Sequence, residues 1–318
     1  MNKDDGPLAL TLTLHVDNAS HYYSTKSGHK VRFSSNFGMF LSGAGALLAP
    51  LLAPTSALAD DSPFSSVYLT EVLPEGGVEF EQWATWKWHK PQERFYRFQG
   101  RTEIEYGVTN RFQIAGYLNY SRTKIVPRGP GAPDGPEDET HFDDVSAEFI
   151  YQVMDPYTRP FGFALYFEPS IGDGVRALEF KGLFQKNFME DRLIFAANIN
   201  LEYEWEYDNG AGAWEHGSAV ELYLGGSYRV APGWFLGAEF LTEMGFDGHV
   251  LGGATHEETA FYFGPAVHYA TQNWWATLAV LPQLPWAGNP TNTPGAISHG
   301  FLVGAEQMRV RFRLGVIL

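Results

Sequence analysis

The sequence predicts an all-β fold: a closed, antiparallel transmembrane β-barrel, most simply of twelve strands. Three observations predict it. Apolar and polar residues alternate with period two over segments of about ten residues, separated by Gly, Pro, Asn and Asp clusters. The apolar faces are rich in Trp, Tyr and Phe near segment ends, while the polar faces carry ionised residues of both signs. Connections alternate between tight and long. A soluble sandwich also alternates, but aromatic girdles, a wet charged inner face and unequal turn lengths together favour a wall with lipid outside and water inside.

The N-terminal residues stand apart from this pattern. Residues 1–30 carry no clear periodicity. A basic patch, Lys30-Val31-Arg32, precedes a stretch from Ser34 to Ala59 without a charged residue. Its apolar centre runs from Phe37 to Ala53, and Ala57-Leu58-Ala59 supplies a small-x-small cleavage signature before Asp60. This is the layout of a secretory signal peptide, with Pro50 and Pro54 set against a membrane anchor helix. The expectation is a leader over 31–59, cleaved after Ala59, behind an upstream extension (1–30) read from a mis-set start. Residues 60–76 are then a periplasmic N-terminal segment, and 77–318 the barrel.

Within 77–318 the alternation predicts strands at 77–89, 95–107, 111–123, 142–154, 160–171, 175–187, 192–207, 217–230, 234–246, 258–270, 274–283 and 299–318. Leu193–Tyr207 is the clearest. Leu193, Phe195, Ala197, Ile199, Leu201, Tyr203, Trp205 and Tyr207 fall on one face, and Ile194, Ala196, Asn198, Asn200, Glu202, Glu204 and Glu206 on the other. An even strand number puts both termini on the periplasmic side. Closure pairs every backbone group in hydrocarbon and leaves no edge. Gly107, Thr109 and Asn110 read as one tight turn, with Gly107 and Asn110 tolerant of positive φ.

Composition narrows the function. With no Cys, neither a disulfide nor a thiolate metal site can form. A net charge of −15 argues against a nucleic-acid partner. No run of about twenty apolar residues offers a spanning helix beyond the leader.

Two stretches carry a resemblance. Val310 to Leu318 resembles the closing strand by which the barrel-assembly machinery recognises its clients, with Leu318 where that pattern usually has Phe. Leu73-Pro74-Glu75-Gly76-Gly77-Val78-Glu79 with Gln82-Trp83, and Glu103 through Arg111, resemble porin-like outer-membrane proteins of a functionally unassigned family. The resemblance implies the Gram-negative outer membrane, with its lipid and lipopolysaccharide as surroundings. It barely touches function, because its motifs are turn signals.

No catalytic constellation stands out. His216-Gly217-Ser218 resembles the His-x-Ser pair of outer-membrane phospholipase, but no Asn occurs between Ser218 and Asn273. His256-Glu257-Glu258 lacks the second His of a zinc protease, and Ser298-His299 should point apart on a strand. The acidic run Asp134–Asp144 lacks the spacing of a calcium loop; it reads as a solvated loop, or as a divalent-ion bridge to lipopolysaccharide. Neither a resident metal nor a cofactor is expected. Trp86, Trp88, Trp274 and Trp275 read as interfacial girdle rather than a sugar track.

The lumen face suggests more. Glu79, Glu81, Glu103, Glu105, Arg309, Arg311 and Arg313 should share the periplasmic half where the first and last strands meet, and fasten the seam. Glu202, Glu204, Glu206, Glu221 and Glu243 should form an acidic outer mouth that favours cations. The functional expectation is a porin-like channel for passive or facilitated diffusion of small solutes. The alternatives are a non-conducting structural or lipopolysaccharide-binding barrel and a lipid hydrolase.

Overall fold

A computed structural model describes residues 62–128, 136–208 and 212–318. The expected leader, its cleavage site and the upstream extension lie outside the described residues. The strands are β1 (Val78–Lys90), β2 (Glu93–Thr109), β3 (Phe112–Pro127), β4 (Glu137–Met154), β5 (Gly162–Gly172), β6 (Val175–Phe188) and β7 (Leu193–Asp208). They continue as β8 (Ala213–Ala231), β9 (Trp234–Asp247), β10 (His256–Ala270), β11 (Trp274–Pro282), β12 (Ile297–Ser298), β13 (Phe301–Leu302) and β14 (Met308–Ile317). Twelve of them close into one antiparallel barrel, in which β14 pairs with both β11 and β1; β12 and β13 form a separate hairpin.

The alternation in the sequence becomes the two faces of this wall. On β7, Ile194, Ala196, Asn198, Asn200, Glu202 and Glu204 are buried in the bore, whereas Phe195 and Ile199 are about half exposed on the outside. Outside the barrel lie Ile104, Leu118, Leu165, Leu236 and Phe263, the apolar belt a lipid-facing wall requires. With an even number of strands, the chain enters at Val78 and leaves at Ile317 on one rim, where the Leu318 amide donates to the Val78 carbonyl at 3.0 Å. The tight connections at 110–111, 189–192, 232–233 and 271–273 share this rim; the other is the loop end.

The strands through β11 lie where the alternation puts them, with β3 and β4 running further toward the loop end. Part of the acidic run read as a solvated loop is thus strand: Lys124 pairs with Asp138, and Asn119 with Asp144. The last strand departs most. Expected at 299–318, it is only Met308–Ile317. Phe301, Leu302 and Val303 are consecutively apolar and cannot alternate. The chain instead turns at His299 (φ 53°) and Gly300 (φ 85°), and Leu302 and Val303 are buried within the barrel.

The Gly107 turn is also corrected. β2 runs through Gly107 to Thr109, and neither Gly107 nor Asn110 has positive φ. Gly107 is needed for close approach: a Cβ there would lie 2.1 Å from the Pro74 carbonyl oxygen. The Gly76 amide donates to the Gly107 carbonyl at 2.8 Å and the Gly107 amide to the Gly77 carbonyl at 2.9 Å, which fastens the chain to the rim just before β1.

Candidate functional site: a bore crossed by residues 62–73

The sequence reading makes 60–76 a periplasmic N-terminal segment ahead of the barrel. The structure buries residues 62–73 inside the barrel, where they cross the bore in its tight-turn half. An extended segment inside a barrel needs partners for its own amides and carbonyls, and the wall supplies them through side chains. The Glu239 carboxylate accepts from the consecutive amides of Ser65 and Ser66 at 2.7 and 2.8 Å. The Asn198 amide clamps Tyr68, accepting from its N–H at 2.7 Å and donating to its carbonyl at 3.0 Å. Gln185 accepts from the Thr70 amide at 3.0 Å, and Gln152 donates to the Thr70 carbonyl at 2.9 Å. Gln113 accepts from the Leu73 amide at 2.7 Å. These wall residues come from β3, β4, β6, β7 and β9 and mark the path of the segment across the bore.

Apolar packing holds the same segment. Phe64, Val67 and Leu69 join Ile194, Tyr223, Leu241, Tyr262, Leu281 and Leu302 in one buried apolar cluster. Val72 joins Ile150, Tyr166 and Leu183 in a second, against which Tyr68 packs. Gly225 makes room for Phe64, since a Cβ there would sit 2.7 Å from its ring. Replacing Gly225 with Val is therefore expected to displace Phe64. Protease cleavage between residues 64 and 68 should then rise while the heat-dependent gel shift of the folded barrel persists; unchanged cleavage would show that the ring is accommodated elsewhere.

Tyr68 lies in a nest of cations and rings. The Lys181 ammonium lies 4.4 Å from its ring and 4.1 Å from that of Tyr166. The Arg101 guanidinium lies over Trp83 at 5.0 Å and Tyr117 at 4.0 Å. Arg313 stacks on Trp83 at 4.0 Å and Trp275 at 5.0 Å. Such contacts strengthen when desolvated. Trp275, expected in the outer girdle, thus faces inward and donates to Glu79, whereas Trp274 is exposed outside. At the tight-turn rim, burial and the neighbouring Glu71 carboxylate, to which it donates, push the Tyr157 phenol up.

The expected seam cluster divides by height. Arg313 and Glu81 form a buried pair at 2.9 Å beside the β1–β14 ladder. Glu81, Glu103 and Glu105 come close together, and Glu105 accepts from Gln113 at 2.8 Å. Glu79 instead takes the Trp275 indole. Arg311 donates to Thr85 at 2.9 Å and to Ser66 of the crossing segment at 3.2 Å. Arg309 lies toward the loop end, because β14 is short, and its guanidinium pairs with Glu243 and Glu306, each at 2.8 Å. The seven residues therefore do not gather in one half of the barrel.

The acidic mouth also changes. Glu202, Glu204 and Glu206 climb β7 toward the loop end, Glu221 stands opposite Glu243 on the neighbouring strands, and Asn200 donates to Glu221 at 2.9 Å. They form an acidic stripe on β7–β9 rather than a ring, and Glu243 belongs to the Arg309 pair. Elsewhere, the Ser218 hydroxyl donates to the Gly248 carbonyl at 2.7 Å, and the His216 ring lies 5.0 Å from that of His249. This arrangement does not resemble a nucleophile and its base.

No curated protein matches the sequence. Among solved structures, the fold is similar to the COG4313 outer membrane channel from Pseudomonas putida F1, with TM-score 0.55 and 12% identity over 78% of this chain and 98% of that one. The translocator domain of autotransporter NalP from Neisseria meningitidis matches with TM-score 0.45 and 12% identity, over 76% of this chain and 87% of its own. The KdgM porin matches with TM-score 0.42 and 9% identity, over 75% and 98%. The first likeness is one of fold, and the last two are more distant. The closed wall with its apolar exterior is that of a bacterial outer-membrane β-barrel. A family model described as a family of unknown function (DUF6662) matches residues 56–317, and the chain belongs to that family.

Proposed function

We propose that this barrel is an outer-membrane channel for passive or facilitated diffusion of small solutes, narrowed in its tight-turn half by residues 62–73. The tight-turn rim then faces the periplasm. One observation carries the reading: the wall is complete without the segment. β1 and β14 close the sheet, and the segment adds no strand to it. What it fills is a bore lined by Glu, Arg, Lys, Asn and Gln, a costly interior for a purely structural barrel. Single-channel recording of the full-length protein in a planar bilayer tests the reading. Discrete conductance steps are expected, and a silent bilayer containing folded protein would overturn it.

The acidic stripe supports a mild cation preference. Glu202→Gln with Glu204→Gln is expected to move the reversal potential toward zero in a salt gradient. Anion selectivity that these changes leave untouched would sink this part of the proposal. The second reading is a non-conducting barrel. It is favoured by the two apolar clusters around the segment, and absent conductance would support it.

A further inference from the structure

We infer that the outer face of β2–β4 near the loop end binds the phosphorylated headgroup of an outer-leaflet glycolipid, the lipid A portion of lipopolysaccharide. This binding rests on the orientation proposed above, with the loop end outward, and not on whether the bore conducts.

Register places the residues. Trp88, Tyr96, Lys124 and Asp138 stand side by side across four strands, and Trp86, Phe98, Arg122 and Thr140 form the next row toward the tight-turn end. Arg94, opposite Val126, lies one row higher, and Arg128 follows the end of β3. Their strand neighbours Phe95, Arg97, Thr123 and Ile125 are buried in the bore, so this set faces outward. The side chains of Arg122 and Lys124 are 58% and 54% exposed.

Height decides what they meet. On the outer face of β3, Phe112, Ile114, Gly116, Leu118 and Tyr120 carry no charge. Ten residue steps separate Phe112 from Arg122. At about 3.3 Å per residue and a tilt near 40°, that is roughly 25 Å, the height of a barrel's lipid-facing band. Arg122 therefore stands at the level where hydrocarbon gives way to headgroups. Trp86, Trp88 and Tyr96 beside it are the amphipathic rings expected at that boundary.

Charge decides the partner. Among the described residues Asp138 is the one carboxylate in this outward set, and Arg122 and Lys124 share it at 3.2 and 3.0 Å. Four cations against one anion leave the patch positive on a chain of net charge −15. The acidic neighbours on β4, Glu137 and Glu139, lie opposite Ile125 and Thr123 and so turn toward the bore. Two-residue spacing along β3 and the diagonal from Arg94 to Lys124 both set the Cβ atoms of these residues about 7 Å apart. That spacing brackets phosphate oxygens and offers Arg a bidentate contact. A headgroup with two phosphates can engage several of these cations at once, which a single phosphodiester cannot.

Native mass spectrometry of the full-length protein, released from detergent, tests the assignment with diphosphoryl lipid A and phosphatidylglycerol as probes. Lipid A is expected to bind at least about tenfold more tightly than phosphatidylglycerol. Arg94→Ser, Arg122→Ser and Lys124→Ser together should weaken it by about tenfold or more, since each cation near an anionic surface contributes severalfold. Arg122→Lys alone should retain most of the binding. Removing three arginines at the opposite rim, Arg159, Arg192 and Arg229, should leave it unchanged. Equal binding by the triple variant, or equal affinity for phosphatidylglycerol, would overturn the proposal. If the triple variant fails to fold, Lys124→Glu alone makes the same comparison.

Discussion

Deleting residues 62–73 is expected to raise single-channel conductance several-fold and to leave a folded barrel. The wall's ladder is continuous without these residues, so closure does not depend on them. Their hold is nevertheless substantial. Phe64, Val67 and Leu69 are buried, and full burial of such side chains stabilises by about 1.5–3 kcal/mol each. Seven wall side chains, Gln113, Gln152, Gln185, Asn198, Glu239, Thr277 and Arg313, also bond the segment's backbone. Spontaneous exit should therefore be rare, and the intact protein should show its smaller conductance most of the time. The deletion exposes Tyr223, Leu241 and Leu281 to water, so some loss of thermal stability should accompany the larger current. Bilayer recording measures the current, and the heat-dependent gel shift reports folding. Unchanged conductance in a folded deletion would mean that the segment does not set the conducting cross-section. Should the deletion not fold, Phe64→Asp gives the same comparison through more frequent openings.

Replacing Arg309 with Met is expected to destabilise the barrel by about 3–5 kcal/mol, the usual cost of removing one partner from a buried ionic group. Arg309 is fully buried, between Glu243 on β9 and Glu306 before β14. Without it, two buried carboxylates lose their shared cation beside Tyr262, whose ring lies 4.4 Å from the guanidinium. They must either remain charged without compensation or take up protons. Adding Glu243→Gln and Glu306→Gln should recover most of the loss, because a neutral, hydrogen-bonded set avoids the stranded charge. The midpoint of urea unfolding from lipid vesicles reads both variants. A loss below about 1 kcal/mol for Arg309→Met would show that water already reaches the site.

The sequence exposes the wall well and the bore poorly. Alternation is a local property of the chain, and hydrocarbon outside enforces it on every strand, so β1 to β11 could be located from side-chain order. The inward set on β7, from Ile194 to Glu204, was legible for the same reason. Alternation overextends the last strand to 299–318, because Val310, Phe312 and Leu314 alternate cleanly while Phe301–Val303 only continues the apolar character. Signals for the crossing segment were present. Residues 63–73 are too apolar for a solvated tail, and Gln113, Gln152 and Gln185 all point inward near the tight-turn rim. No local pattern links those amides to Ser62–Leu73, since the contacts join residues far apart in sequence.

By itself the sequence determined the closed antiparallel wall, its lipid face and the ionised character of its interior, because each follows from a two-residue period meeting two solvents. Only the tertiary structure decided which charges pair and what fills the bore. Closure places Arg309 beside Glu243 and Glu306, Arg313 beside Glu81, and residues 62–73 across the lumen. Those partners are chosen by strand register and barrel curvature, which act over distances that a local alternation does not encode.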